Sequence, residues 1–95
     1  MKVLIVEDEI MAQKSLIRVL SQNFPDMDIV GTTSSVKSTV SWLKDPANTV
    51  DIIFMDVELS DGICFEIFRQ AEVKAKVIMT TAYDSYALKA FEAGS

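Results

Sequence analysis

Three carboxylates in this sequence follow apolar runs closely enough to act together. Glu7 and Asp8 come directly after Val3, Leu4, Ile5 and Val6, and Asp56 comes directly after Ile52, Ile53, Phe54 and Met55. If the two runs are neighbouring strands, the acids meet in one small volume, and like charges so close raise one another's pKa unless a cation lies between them. The arrangement asks for a divalent metal. There is no histidine and only one cysteine, so oxygen donors dominate. Oxygen donors favour Mg2+ over zinc or copper, with coordination places left to water or phosphate. The competing reading is that each acid merely caps the next helix and solvates a loop. That reading suffices for one acid and fits less well when acids follow two separate buried strands.

The elements that must carry these acids can be read from hydropathy. Residues 3–6 are continuously apolar and rich in β-branched residues, as in a strand buried on both faces, and three acids end the run. A helix is predicted from Ile10 to Gln22, with Ala12, Leu16, Val19 and Leu20 on its inner face and Pro25 blocking its continuation. Residues 27–31 form a second strand. Ser34 or Ser35 caps a second helix, in which Val36, Val40 and Leu43 face inward until Asp45-Pro46 ends it. Residues 52–55 form the third strand, Leu59-Ser60-Asp61-Gly62 a turn, and Cys64, Ile67, Phe68 and Ala71 one face of a third helix. A fourth strand spans 76–80, and a fourth helix starts near Ser85, burying Ala87, Leu88, Ala90 and Phe91 before a glycine cap at Gly94. Strict alternation of this kind predicts a doubly wound parallel α/β sheet with right-handed crossovers. Ligands of such sheets bind beyond the carboxyl ends of the strands, where the acids stand.

Composition sets limits on function. At 95 residues, 49% hydrophobic and 24% charged, the chain suits one small globular domain. With no histidine, neither a Cys/His zinc cluster nor a Ser-His-Asp pair can form, and a lone Cys64 fits a reducing, cytoplasmic setting. Nine scattered bases against fourteen acids, a net charge of −5, argue against nucleic-acid contact by this segment. The apolar run at the N-terminus is too short for a signal peptide or a membrane span. A dinucleotide site would place glycines after strand one. Here that turn is Glu7-Asp8-Glu9, which repels a directly cradled phosphate, so any phosphate must arrive through a metal or on a carboxylate. Trp42, Tyr86 and Cys64 read as packing residues, and Met11, Met27, Met55 and Met79 as core fillers.

Three stretches carry a family resemblance. Leu4-Ile5-Val6-Glu7-Asp8-Glu9, Ile53-Phe54-Met55-Asp56 and Val77-Ile78-Met79-Thr80-Thr81-Ala82-Tyr83 together resemble the receiver domain of bacterial two-component response regulators. Leu59-Ser60-Asp61-Gly62 and the stretch from Thr80 to Phe91 are similar to the LytR/AlgR branch, whose receivers usually precede a LytTR DNA-binding domain. The resemblance spans essentially all 95 residues and implies a receiver domain over 1–95 with strand order 2-1-3-4. It makes Asp56 the acceptor of a phosphoryl group from a sensor histidine kinase or phosphotransfer protein. It also implies Asp8 and Asp56 as direct Mg2+ ligands, the Glu58 backbone carbonyl as a third, and Glu7 acting through water. Thr81, an ordinary strand-end hydroxyl when read alone, matches the switch hydroxyl that hydrogen-bonds the phosphoryl group, with Ala82 as its small neighbour. A signalling switch rather than an enzyme is implied.

The sequence departs from the family in two ways. The loop from Asp56 to Gly62 is shorter than in the chemotaxis receiver and lacks its proline, which suits the LytR/AlgR branch. The family also has a fifth strand, bearing a phosphate-binding lysine, and a fifth helix; the sequence stops before both, and Lys89 does not match that lysine. Strand four is therefore expected to form an edge, leaving the 95-residue chain either less stable than the extended domain or associating with copies of itself through strand four or helix four. Two alternatives remain. A Toprim-like metal-dependent nucleotidyl-transfer domain would use Glu7 with the pair Asp56 and Glu58, and a pseudo-receiver would only dock partners.

Overall fold

The strand β1, Lys2–Val6, forms because four consecutive apolar residues leave no polar face for water, and all four are buried. The computed structural model describes residues 1–80; Thr81 and the expected fourth helix lie outside the described residues. β1 is followed by α1 (Ile10–Asn23), β2 (Asp28–Thr33), α2 (Val36–Lys44) and β3 (Ile52–Met55). A small hairpin then pairs β4 (Glu58–Leu59) antiparallel with β5 (Gly62–Ile63), before α3 (Phe65–Gln70) and β6 (Lys76–Met79). The main sheet is parallel in the order β2-β1-β3-β6, so the expected α/β architecture and strand order hold, with β6 as the fourth strand.

Each face of the sheet has its own core. Leu4, Val6, Ile53, Met55 and Val77 meet Val36 and Val40 of α2 and Ile67 of α3, while Val3, Ile5 and Phe54 meet Leu20 of α1. The period-2 alternation of side chains divides each apolar strand between these two layers. Trp42 leans over the sheet at Gly31, where an added Cβ would stand 2.7 Å from the indole Nε1, so only glycine admits the ring. Two buried hydroxyls, Thr33 and Thr39, satisfy each other at 2.7 Å, and Thr39 also donates to the Ser35 carbonyl.

Several details differ from the sequence reading. β2 runs to Thr33 rather than Gly31, because its polar end is held by the ladder: the Thr33 carbonyl accepts the Glu7 N–H at 2.9 Å. On α1, Leu16 and Leu20 face inward together with Ile17, whereas Val19 is 50% exposed, one helical step past the inward stripe. Met11 fills no core gap; it is 70% exposed in the first turn of α1, above the end of the sheet. Phe68 turns outward against Phe65, with ring centroids 6.4 Å apart, leaving Ile67 and Cys64 as the buried residues of the α3 segment. The expected turn at 59–62 is the tip of the β4–β5 hairpin, and Leu59 is buried there.

Candidate functional site

The strand order reverses between β1 and β3, and that is where a doubly wound sheet opens a crevice at its carboxyl edge. Register places the acids there. Val6 pairs with Met55, the Asp56 N–H donates to the Val6 carbonyl at 2.9 Å, and the Thr80 N–H donates to the Met55 carbonyl at 3.0 Å. Glu7, Asp56 and Thr80 thus leave three adjacent strands at one level. One carboxylate oxygen from each of Glu7, Asp8 and Asp56 lies within 4.8 Å of the others. Glu7 is buried, Asp56 half-buried and Asp8 exposed, so the cluster is open on one side.

The electrostatics follow from that packing. Burial pushes the Glu7 carboxyl up to about 7, helped by its hydrogen bond with Asp56 and by the neighbouring negative charge. Simple helix capping does not account for the acids: Glu9 occupies the N-cap of α1 without a side-chain hydrogen bond, and no acid lies in the first turn. Instead Glu7 is held from its own loop. Its Oε1 accepts the Glu9 N–H at 3.3 Å and its carbonyl accepts from Gln13 Nε2. The Val57 N–H holds one Asp56 oxygen at 2.8 Å, which fixes the carboxylate plane.

The donor set fits Mg2+. Carboxylate oxygens from three residues, all within 4.8 Å of one another, are the hard donors that ion takes, with its remaining places left to water or phosphate. Of the residues expected at the site, Glu7, Asp8 and Asp56 are brought together. Glu58 is in β4, its carboxylate outside this cluster, which removes the pairing that the nucleotidyl-transfer alternative requires. Thr81 lies outside the described residues.

One residue named only as part of a turn has a definite role. Asp61, at the tip of the β4–β5 hairpin, accepts the Val36 N–H at 2.6 Å and the Lys37 N–H at 3.0 Å, capping α2 from 25 residues away. Those backbone donors hold its carboxyl below the ordinary 3.8. Ser35 caps the same helix locally, accepting from the Ser38 N–H at 3.0 Å. No spacing rule connects Asp61 to α2, and the sequence signal for the contact is only the Asp-Gly turn. Cys64 is fully buried, and its thiol is pushed up to about 11 by burial and by the nearby Asp56, as suits a packing residue.

Residues 3–95 match the family described as the response regulator receiver domain. The chain is 36% identical over 95 residues to the sensory transduction protein LytT of Bacillus anthracis, covering 97% of this chain and 37% of that protein. It is 35% identical to the transcriptional regulatory protein YpdB of Escherichia coli, covering 38% of that protein. The crystal structure of the response regulatory domain of protein mrkE from Klebsiella pneumoniae superposes with a TM-score of 0.76 at 35% identity, covering 97% of this chain and 75% of that one. The chain therefore spans under two-fifths of the length of these curated relatives.

Proposed function

The chain belongs to the response regulator receiver domain family, and from that premise we propose that residues 1–95 belong to one receiver domain whose Asp56 accepts a phosphoryl group from a sensor histidine kinase or phosphotransfer protein. The observation that carries this is the convergence of Glu7, Asp8 and Asp56 at the crevice between β1 and β3. An Asp56 oxygen attacks the phosphorus of a phosphohistidine; the P–N bond breaks, the electron pair stays on the imidazole, and an acyl phosphate forms. The Val57 N–H keeps the carboxylate oriented for that attack. Asp8 and Asp56, with the Glu58 carbonyl, would hold Mg2+, and Glu7 would act through water. Bound there, Mg2+ supplies the positive charge that offsets the carboxylates and the transferring phosphoryl. Thr81 is assigned the switch hydroxyl on the match of its motif.

The domain acts as a switch rather than as an enzyme in its own right, and the relatives named as transcriptional regulators support a LytTR-type output elsewhere in a longer protein. A cytoplasmic setting belongs to the same reading; among the described residues no helix is long and apolar enough to cross a membrane. Pairing of copies along β6, the outer strand among the described residues, is included, and light scattering checks it. Incubation with a small phosphodonor and Mg2+, followed by intact mass, tests the central proposal. One phosphoryl mass gain on Asp56 supports it; no gain, or a gain on another residue, refutes it.

A further inference from the structure

The loop after Asp56 is anchored at both ends. At its base the Cys64 N–H donates to the Val57 carbonyl at 2.8 Å, and β4 pairs with β5 through Glu58 opposite Ile63 and Leu59 opposite Gly62. At its tip the two Asp61 oxygens take the first two N–H groups of α2, and the Ser60 hydroxyl lies 3.4 Å from the Ser34 carbonyl. Gly62 stands at φ +153°, a backbone state that L side chains rarely adopt, so the chain turns back sharply just after the anchor. Glu58 lies between the base and the tip of this flap. The flap packs downward through buried Val57 and Leu59, whereas Asp61 itself is exposed. Its two hydrogen bonds are thus the polar tie between the flap and α2.

We infer that Asp61 is a positioning residue for the metal site: by gripping the N-terminus of α2 it fixes the flap that presents Glu58 to the cation held by Asp8 and Asp56. The inference rests on the proposed Mg2+ site. It makes α2, which contributes no side chain to the acidic cluster, a structural support of that site.

The test compares Asp61→Ala with Ser35→Ala in the full-length protein, reading Mg2+ dissociation constants from amide chemical shifts. Both variants remove a cap from α2, but only Asp61→Ala unties the flap. Asp61→Ala is expected to bind Mg2+ about 10-fold more weakly, the usual cost of losing a group that orients a ligand, with phosphodonor labelling restored at saturating Mg2+. Ser35→Ala is expected to bind Mg2+ like the parent. Unchanged affinity in Asp61→Ala, or an equal loss in Ser35→Ala, overturns the inference. Asp61→Asn keeps one acceptor and covers the case in which the alanine variant does not fold. It should weaken Mg2+ binding about threefold while speeding amide exchange at Val36 and Lys37. Faster exchange with unchanged Mg2+ affinity overturns the inference. Absence of phosphorylation in the parent would refute the proposed reaction and leave the Mg2+ comparison standing as a separate result.

Discussion

Glu7 and Asp61 are both acids in loops at the carboxyl edge of the sheet, and their surroundings push them in opposite directions. Glu7 is buried beside Asp56 and Asp8, so its charged form is disfavoured. Asp61 is solvated and faces two backbone N–H donors at a helix start, so its charged form is favoured. A carboxylate whose charge is already matched by the fold acts as a tie. A carboxylate crowded by its own kind is held at a cost that a cation can relieve, and such a place is where binding and chemistry are built.

The severest test of this difference is Asp56→Asn, which is nearly isosteric and removes the nucleophile. It is expected to abolish the phosphodonor-dependent mass gain while retaining the fold, as intact mass and circular dichroism will show; equal labelling of the variant would move the acceptor elsewhere. Next comes Asp8→Ala. In the parent, Mg2+ at 100 times its dissociation constant should stabilise the fold by about 2.7 kcal/mol, since the site exists only in the folded state. Asp8→Ala should lose most of that gain in melting experiments, and an undiminished shift would contradict the site.

The pH dependence of metal-free stability has opposite signs at the two acids. Glu7 titrates near 7 when folded against an ordinary 4.5, so between those values the folded state keeps a proton that the unfolded chain has released. Stability should therefore fall as pH rises from 4.5 to about 7, and Glu7→Gln should flatten that slope in chelator. Asp61 titrates below its ordinary 3.8, so its contribution is present above that value and disappears as pH falls through the lowered one. Denaturation curves across pH, with Glu7→Gln and Asp61→Asn beside the parent, separate the two windows. Ser35→Ala carries the smallest expected effect, about 1 kcal/mol of stability, with the Mg2+ response intact; a lost response would mean that any weakening of α2 disturbs the site.

Sequence alone determined the elements whose local signals agree. The short apolar runs 3–6 and 52–55, rich in β-branched residues and each ended by an acid, read as strands buried on both faces and are strands, and Asp45-Pro46 marks the end of α2, which stops at Lys44. The acids Glu7, Asp8 and Asp56 were legible because they stand where such a run ends, and charge cannot continue into a two-sided core. Tertiary structure decided what depends on partners distant in the chain. Val19 and Met11 are apolar and lie within α1, yet they are exposed because the rotation of the helix against the sheet selects Ile17 and Leu20 instead. The turn at 59–62 became a hairpin because its tip found α2, a contact across 25 residues that no periodicity encodes. The proximity of Glu7 to Asp56, and with it the raised proton affinity, exists only because β1 and β3 pair in register, with Val6 beside Met55. Residue type fixes which groups can carry charge, but the energy of that charge is set by whatever the fold brings alongside it.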